Sequence, residues 1–260
     1  MTDIDHLSYS SIRAYLECSK AWKYQYVDKA ETMASPALFF GSAIHAVVEA
    51  YVVDNSVALL GKWSEAWQYQ LNNLAEKNKQ INWGASLPEE YYNDGVRILS
   101  EPSILEAMGG IKVKKKSDAG YFIEEKITLL VPDVPVPITG FIDLIAEDGV
   151  PGDIKTSSKS WSDDQAQGEM QPLFYLAALN QAGIETPGYK FRHYVFVKTK
   201  TPKIQIIEHY HNITEMFFLF SMIANVWTGI SQEVFFENPN SWKCNPRWCD
   251  YWHKCRGRYS

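Results

Sequence analysis

Long apolar runs, surplus positive charge and cysteine are all scarce in this chain of 260 residues. The most apolar window, Ile213 to Trp227, is interrupted by Glu215 and Asn225. It is too short to span a bilayer and predicts a buried helix. The opening Met1-Thr2-Asp3-Ile4-Asp5 has neither a basic start nor an apolar stretch, so no secretory signal is expected there. A cytoplasmic protein with no membrane association is the expectation. Positive charge is in deficit, with 25 Lys and Arg against 31 Asp and Glu. A protein that coats DNA by bulk charge is normally basic, and the balance argues against that class. It is compatible with an enzyme whose acids hold a divalent cation. Only four cysteines occur: Cys18, Cys244, Cys249 and Cys255. Disulfides are rare in a reducing compartment, where a cysteine cluster binds metal or acts in catalysis.

What is present is ordinary globular composition, 46% hydrophobic and 22% charged, in a length that can bury one sizeable core. Nine Trp and fifteen Tyr can serve that core or stack on bases. Helical spacing of Ile12, Tyr15, Leu16, Trp22 and Tyr26 predicts a helix over 8–29, opened by serine caps. A second helix is expected over 37–53, and mostly helical structure over 63–108 with a break near Gly84 to Pro88. Strand-like segments follow at 121–131, 138–146 and 150–156. A helix within 163–182, strands at 189–197 and 204–210, a helix over 214–230 and an irregular Trp- and Cys-rich tail complete the chain. Neither an internal repeat nor a low-complexity tract appears. The order predicts an α/β fold with a mixed central sheet flanked by helices. It is read as one domain over 1–260, with an N-terminal helix at 1–36, a mostly helical region at 37–116, a core at 117–235 and a tail at 236–260.

The chemistry concentrates between Gly140 and Thr156. If Glu147-Asp148-Gly149 is a three-residue hairpin loop with Gly149 in the left-handed conformation, Asp143 lies across from Asp153. Alternation then puts Lys155 on the face of Asp153. Two facing carboxylates repel unless a cation sits between them, and hard oxygen ligands suit Mg²⁺ or Mn²⁺. Such an ion lowers the pKa of bound water and stabilises charge on a phosphate. Lys155 can orient or deprotonate the attacking water or neutralise the transition state. Taken alone, an Asp-x-Lys is far more often part of an exposed hairpin with solvated charges than a catalytic site.

Gly140-x-x-Asp143, Asp153-x-Lys155 and Gln171-x-x-x-Tyr175 together resemble the successive motifs of the RecB-like PD-(D/E)XK nucleases, which include AddB-type nuclease domains and CRISPR-associated RecB-like exonucleases. Gly41-Ser-Ala-Ile-His45 resembles the family's upstream histidine segment, and Glu49 shares the helix face of His45. The resemblance implies a restriction-endonuclease-like fold with a helical insertion. It implies metal ligation by His45, Asp143, Asp153 and the Ile154 carbonyl, a catalytic Lys155, and Gln171 and Tyr175 arranging the site or the DNA. Pro172 marks a helix start or kink beside Gln171. A further acid is expected on the preceding strand, where Glu124 and Glu125 both stand. Alternation lets one face the site, and Glu125 is the choice.

The tail places four residues between Cys244 and Cys249 and five between Cys249 and Cys255, with Cys18 far upstream. This resembles the iron–sulfur subset of the same nucleases, one cysteine before the core and three after it. A 4Fe–4S cluster is implied, clasping the termini and shielded by Trp242, Trp248 and Trp252. The first gap is longer than the family's common two residues, and Zn²⁺ remains an alternative occupant. Lys112, Lys114, Lys115 and Lys116 are candidate phosphate contacts, with further patches at Lys198, Lys200 and Lys203 and at Arg247, Lys254, Arg256 and Arg258, although such charge runs are more often simply solvated.

The resemblance therefore implies a metal-dependent deoxyribonuclease. An exonuclease acting on single-stranded DNA ends is favoured, in recombination, repair, phage replication or CRISPR adaptation, with a helicase or recombination partner. Two rival readings stand beside it: a non-catalytic DNA-binding adaptor that keeps the fold, and a four-cysteine zinc protein with an unrelated hydrolase core.

Overall fold

The computed structural model describes residues 4–118 and 120–257. Its strands form a mixed sheet ordered β1-β3-β4-β5-β6, with β2 also paired to β3. These are β1 (Leu7–Ser8), β2 (Ile123–Leu129), β3 (Ile138–Ile145), β4 (Pro151–Ser157), β5 (Lys190–Val197) and β6 (Lys203–Tyr210). Strands β3 and β4 run antiparallel, β4 and β5 parallel, and β5 and β6 antiparallel. The residues group into two compact units.

One unit takes in Ala34–Ile127 and Phe141–Ile213. Its helices are α3 (Pro36–Val53), α4 (Leu59–Glu76), α5 (Pro88–Leu99), α6 (Pro102–Gly110), α7 (Asp163–Gln167) and α8 (Gln171–Gln181). Each of α3, α5, α6 and α8 carries proline in its first turn, where the missing N–H costs no helical bond. Phe40, Ala43, Ile44 and Val47 of α3 share one buried cluster with Leu144, Ile154, Tyr194 and Phe196 of the sheet and with Trp63 and Trp67 of α4. Rings meet edge-on in this cluster, Phe39 against Trp67 at 4.7 Å and Phe40 against Trp63 at 5.7 Å. The stretch expected to be helical over 63–108 is thus a built part of the core. The single helix expected within 163–182 is two, because Gly168–Met170 leave helical bonding between α7 and α8.

The other unit comprises the chain up to Met33, Thr128–Gly140 and the chain from Thr214 onward. Strand β1 pairs in parallel with the start of β3, Leu7 opposite Ile138. Helix α1 (Tyr9–Glu17) opens on a reciprocal cap: Ser8 Oγ accepts from the Ser11 N–H, and Ser11 Oγ accepts from the Ser8 N–H. The continuous helix expected over 8–29 is interrupted at Cys18, whose backbone is extended at φ −164° and ψ 102°. The chain resumes as α2 (Ser19–Trp22) and a π-helical turn, Lys23–Val27. Trp22 stacks on Tyr26 at 5.3 Å and on Phe235 at 5.8 Å.

Helix α9 covers Ile213–Ser231 and is longer than the apolar window of Ile213 to Trp227. Glu215 lies in its first turn, where a carboxylate suits the helix dipole and interrupts nothing. Among the described residues, α3 and α9 are long and apolar enough to cross a membrane by length and composition. Helix α3, however, is a core helix that carries polar site residues. A short helix, α10 (Trp252–Cys255), lies in the tail.

Candidate functional site

The hairpin joining β3 to β4 positions the first acid. Gly149 sits at φ +84°, and the Ala146 N–H bonds to the Val150 carbonyl, so Glu147-Asp148-Gly149 is the loop. Leu144 pairs with Gly152 and Ile145 with Pro151. The next pair in that register is Asp143 and Asp153. There the Asp143 carboxylate turns to accept the Ile154 backbone N–H at 2.5 Å. Both acids are buried, Asp143 being 6% and Asp153 2% exposed.

Strand alternation divides β4 between two environments. Ile154 joins the core formed with α3. Asp153 and Lys155 turn to the other face, where Lys155 Nζ donates to Asp153 Oδ1 at 2.8 Å and to Gln171 Oε1 at 2.9 Å. The Gln171 amide in turn donates to the Tyr175 hydroxyl at 2.5 Å. Asp153, Lys155, Gln171 and Tyr175 therefore form one continuous polar chain from β4 to α8. Tyr175 also stacks on Phe191 of β5, ring centres 5.9 Å apart, which holds the end of that chain.

Helix α3 brings the remaining groups. His45 Nδ1 stands 3.5 Å from Asp143 Oδ2 and 3.8 Å from Glu49 Oε1. His45, Glu49 and Glu124 each offer a ligand atom within 4.8 Å of the others. This corrects the choice of Glu125, which instead pairs with Lys116. The reason is local. Glu124 adopts φ +48° at the start of β2, outside the extended region, so the alternation used to choose between the two acids does not hold there.

The electrostatics are those of crowded acids. Burial first, and then the Asp153 charge, hold the Asp143 carboxyl well above the usual carboxylate range. Burial and the neighbouring Glu124 push Glu49 up to about 8. Burial holds His45 below its ordinary value, opposed by the Asp153 charge. Burial also raises the Tyr175 phenol, with Asp153 and Asp143 adding to it. So many carboxylates around one imidazole repel one another unless positive charge enters. The donor set of carboxylate oxygens, one imidazole and a strand backbone suits a hard divalent cation, and these residues fit one.

His193, opposite Asp153 in the β4–β5 register, had not been singled out. Its ring lies 5.0 Å from that of His209. Parallel-strand pairing between distant segments leaves no short motif that would have flagged it.

The lysines assigned to phosphate are engaged locally. Lys112 donates to the Gly109 carbonyl, Lys114 and Lys116 lie over the Phe122 ring, and Lys115 lies over Tyr121. Lys198 lies over Phe40 and Tyr91 and pairs loosely with Asp94. Arg258 falls outside the described residues.

In the other unit, backbone and side-chain bonds tie the Cys18 segment to the tail. Tyr15 donates to the Val234 carbonyl, Ser19 exchanges bonds with the Phe236 backbone, and Asn238 donates to the Glu17 carbonyl. The Cys249 thiol is raised chiefly by burial, and Cys18, Cys244 and Cys255 all lie close enough to add to that shift.

Among the comparisons with known proteins, a solved structure from Eubacterium rectale, described as a candidate exonuclease, superposes with a TM-score of 0.61. It covers 97% of this chain and 88% of that one at 12% identity, a likeness of fold. A second structure, SSO0001, covers 96% of this chain and 98% of its own at 12% identity, but its TM-score of 0.32 bears no weight. No curated protein matches the chain. The family model of the PD-(D/E)XK nuclease superfamily matches residues 6–256. With nearly the whole chain matched, this protein belongs to the PD-(D/E)XK nuclease superfamily.

Proposed function

We propose that this nuclease hydrolyses DNA phosphodiester bonds at the site of His45, Asp143, Asp153 and Lys155, as a metal-dependent exonuclease favouring single-stranded ends. The observation that carries the reading is that two buried acids face each other from β3 and β4, with His45 of α3 beside Asp143 and Lys155 beside Asp153. The Asp143, Asp153 and His45 side chains, with the Ile154 carbonyl, would hold Mg²⁺ or Mn²⁺, and Glu49 and Glu124 extend the acidic set. Bound there, the ion supplies Lewis-acid stabilisation of charge on the phosphate and makes water a better nucleophile at neutral pH.

The chain's own residues do the rest. Lys155, held by Asp153 and Gln171, keeps its ammonium fixed where negative charge develops on the phosphate. The Gln171–Tyr175 pair keeps Lys155 from swinging to solvent. Burial of the two acids strengthens the interaction of their charges with a cation held between them. The retained lysine speaks for catalysis over a binding-only adaptor.

The test is a cleavage assay on end-labelled single- and double-stranded DNA with each metal. Asp153→Ala should lower the Mn²⁺-stimulated rate at least about a thousandfold. Activity surviving that change rejects the site assignment.

The cysteines carry a second part of the proposal. Cys18, Cys244, Cys249 and Cys255 hold a 4Fe–4S cluster with a structural role. Support comes from their order in the chain, one cysteine before the core and three after it, and from the bonds that tie the Cys18 segment to the tail. A reducing, cytoplasmic setting and a helicase or recombination partner at DNA ends complete the reading.

A further inference from the structure

This inference rests on DNA as the substrate and concerns the tail. Trp242 and Trp248 are 65% and 54% exposed, a poor use of such large apolar rings unless something covers them. They meet edge to face, ring centres 6.0 Å apart. A cation lies over each ring: Lys243 Nζ is 5.4 Å from the Trp242 centre, and the Arg247 guanidinium is 5.0 Å from that of Trp248.

One side chain organises the pair. Asn245 Nδ2 donates to the Trp242 carbonyl at 2.8 Å, while its Oδ1 accepts the N–H groups of Arg247 at 3.0 Å and Trp248 at 3.2 Å. Charge singles out the same segment. From Trp242 to Gly257, Lys243, Arg247, Lys254 and Arg256 stand against one acid, Asp250, in a chain of net charge −6.

We infer that Trp242 and Trp248, with Lys243 and Arg247, form a stacking platform for single-stranded DNA. An exposed ring offers a π-face to any unpaired base, and the adjacent cation meets the phosphate that follows it. A duplex keeps its base faces stacked inside and has none to give. A membrane surface is the poorer occupant. It favours an amphipathic helix, whereas the segment between Ser241 and Tyr251 is a series of turns.

The experiment measures affinity for a labelled oligothymidylate by anisotropy, in the full-length Asp153→Ala chain so that the probe survives. Replacing Trp242 and Trp248 with Ala should weaken binding roughly tenfold for each ring. Phe at both positions, which keeps a stacking face, should restore most of the affinity. Lys243→Gln with Arg247→Gln should shrink the slope of log affinity against log salt by about 0.7 per cation. Affinity unmoved by the alanine pair overturns the platform. So does an equal loss for duplex, a tryptophan-dependent preference for the matching RNA oligomer, or tryptophan-dependent capture by anionic vesicles instead of DNA. An unsubstituted chain that binds through these tryptophans but never cleaves removes the nuclease reading and leaves the platform standing.

Discussion

Glu124 is held in a backbone conformation that a side chain of its kind rarely adopts. At φ +48° it carries strain on the order of 1 kcal/mol, and the conformation aims its carboxylate at His45 and Glu49. Strain at one residue, kept by its surroundings, is characteristic of sites that bind or react. Glu124→Gln is therefore expected to weaken Mn²⁺ binding about 10- to 100-fold, read by calorimetry. Glu125→Gln, which loses only the pairing with Lys116, should leave it near the parental value. Equal effects from the two changes would remove Glu124 from the site. That Asp143 opposes Asp153, and that Gln171 and Tyr175 share a helix face, is legible in the sequence because a hairpin and a helix turn fix those spacings locally. The choice between Glu124 and Glu125 was not, because strict alternation fails where one residue leaves the extended region.

At the scale of elements, two contacts set the consequences of small changes. Gly95 on α5 faces Trp63 on α4, and a Cβ there would stand 2.1 Å from the indole. Trp63 is fully buried and donates to the Tyr92 carbonyl, so it has no room to yield. Gly95→Ala should cost about 1–3 kcal/mol or more by overpacking, measured as a lowered denaturant midpoint. A midpoint unchanged from the parent would mean that α4 and α5 are not packed this way.

Strand β6 offers a second case. His209 is buried among Phe191, His193 and His211, and burial, aided by the two histidines, depresses it to about 4. An unfolded imidazole takes its proton near about 6.5. Below that pH the unfolded chain gains a proton that the folded chain refuses until about pH 4. Stability from this group is intact above the window and falls as pH drops through it, by on the order of 3 kcal/mol at most. His209→Leu should flatten the fall in thermal midpoint between neutral and acidic pH. An acid profile identical to the parent would show that His209 does not titrate in this way.

At the scale of the whole molecule, Cys18 precedes the other three cysteines by more than 200 residues, yet all four belong to one unit. A metal group holding all four would close a very long loop and remove much of the unfolded chain's freedom. Protein purified without oxygen is expected to absorb in the visible range and to contain iron. Cys249→Ser should bleach that absorbance and lower the thermal midpoint, while stoichiometric zinc without iron would reject the cluster. The sequence by itself determined the order of strands and helices, the hairpin that opposes Asp143 and Asp153, and the helix that carries Gln171 and Tyr175. Each of these follows from periodicity or turn chemistry within about a dozen residues. Only the tertiary structure decided that α3 lays His45 and Glu49 beside Asp143, that Glu124 joins them, that Cys18 interrupts its helix near the tail, and that His193 lies next to Asp153. Those placements depend on burying distant apolar faces and pairing distant strands. No short-range rule encodes which remote side chains such packing will bring together.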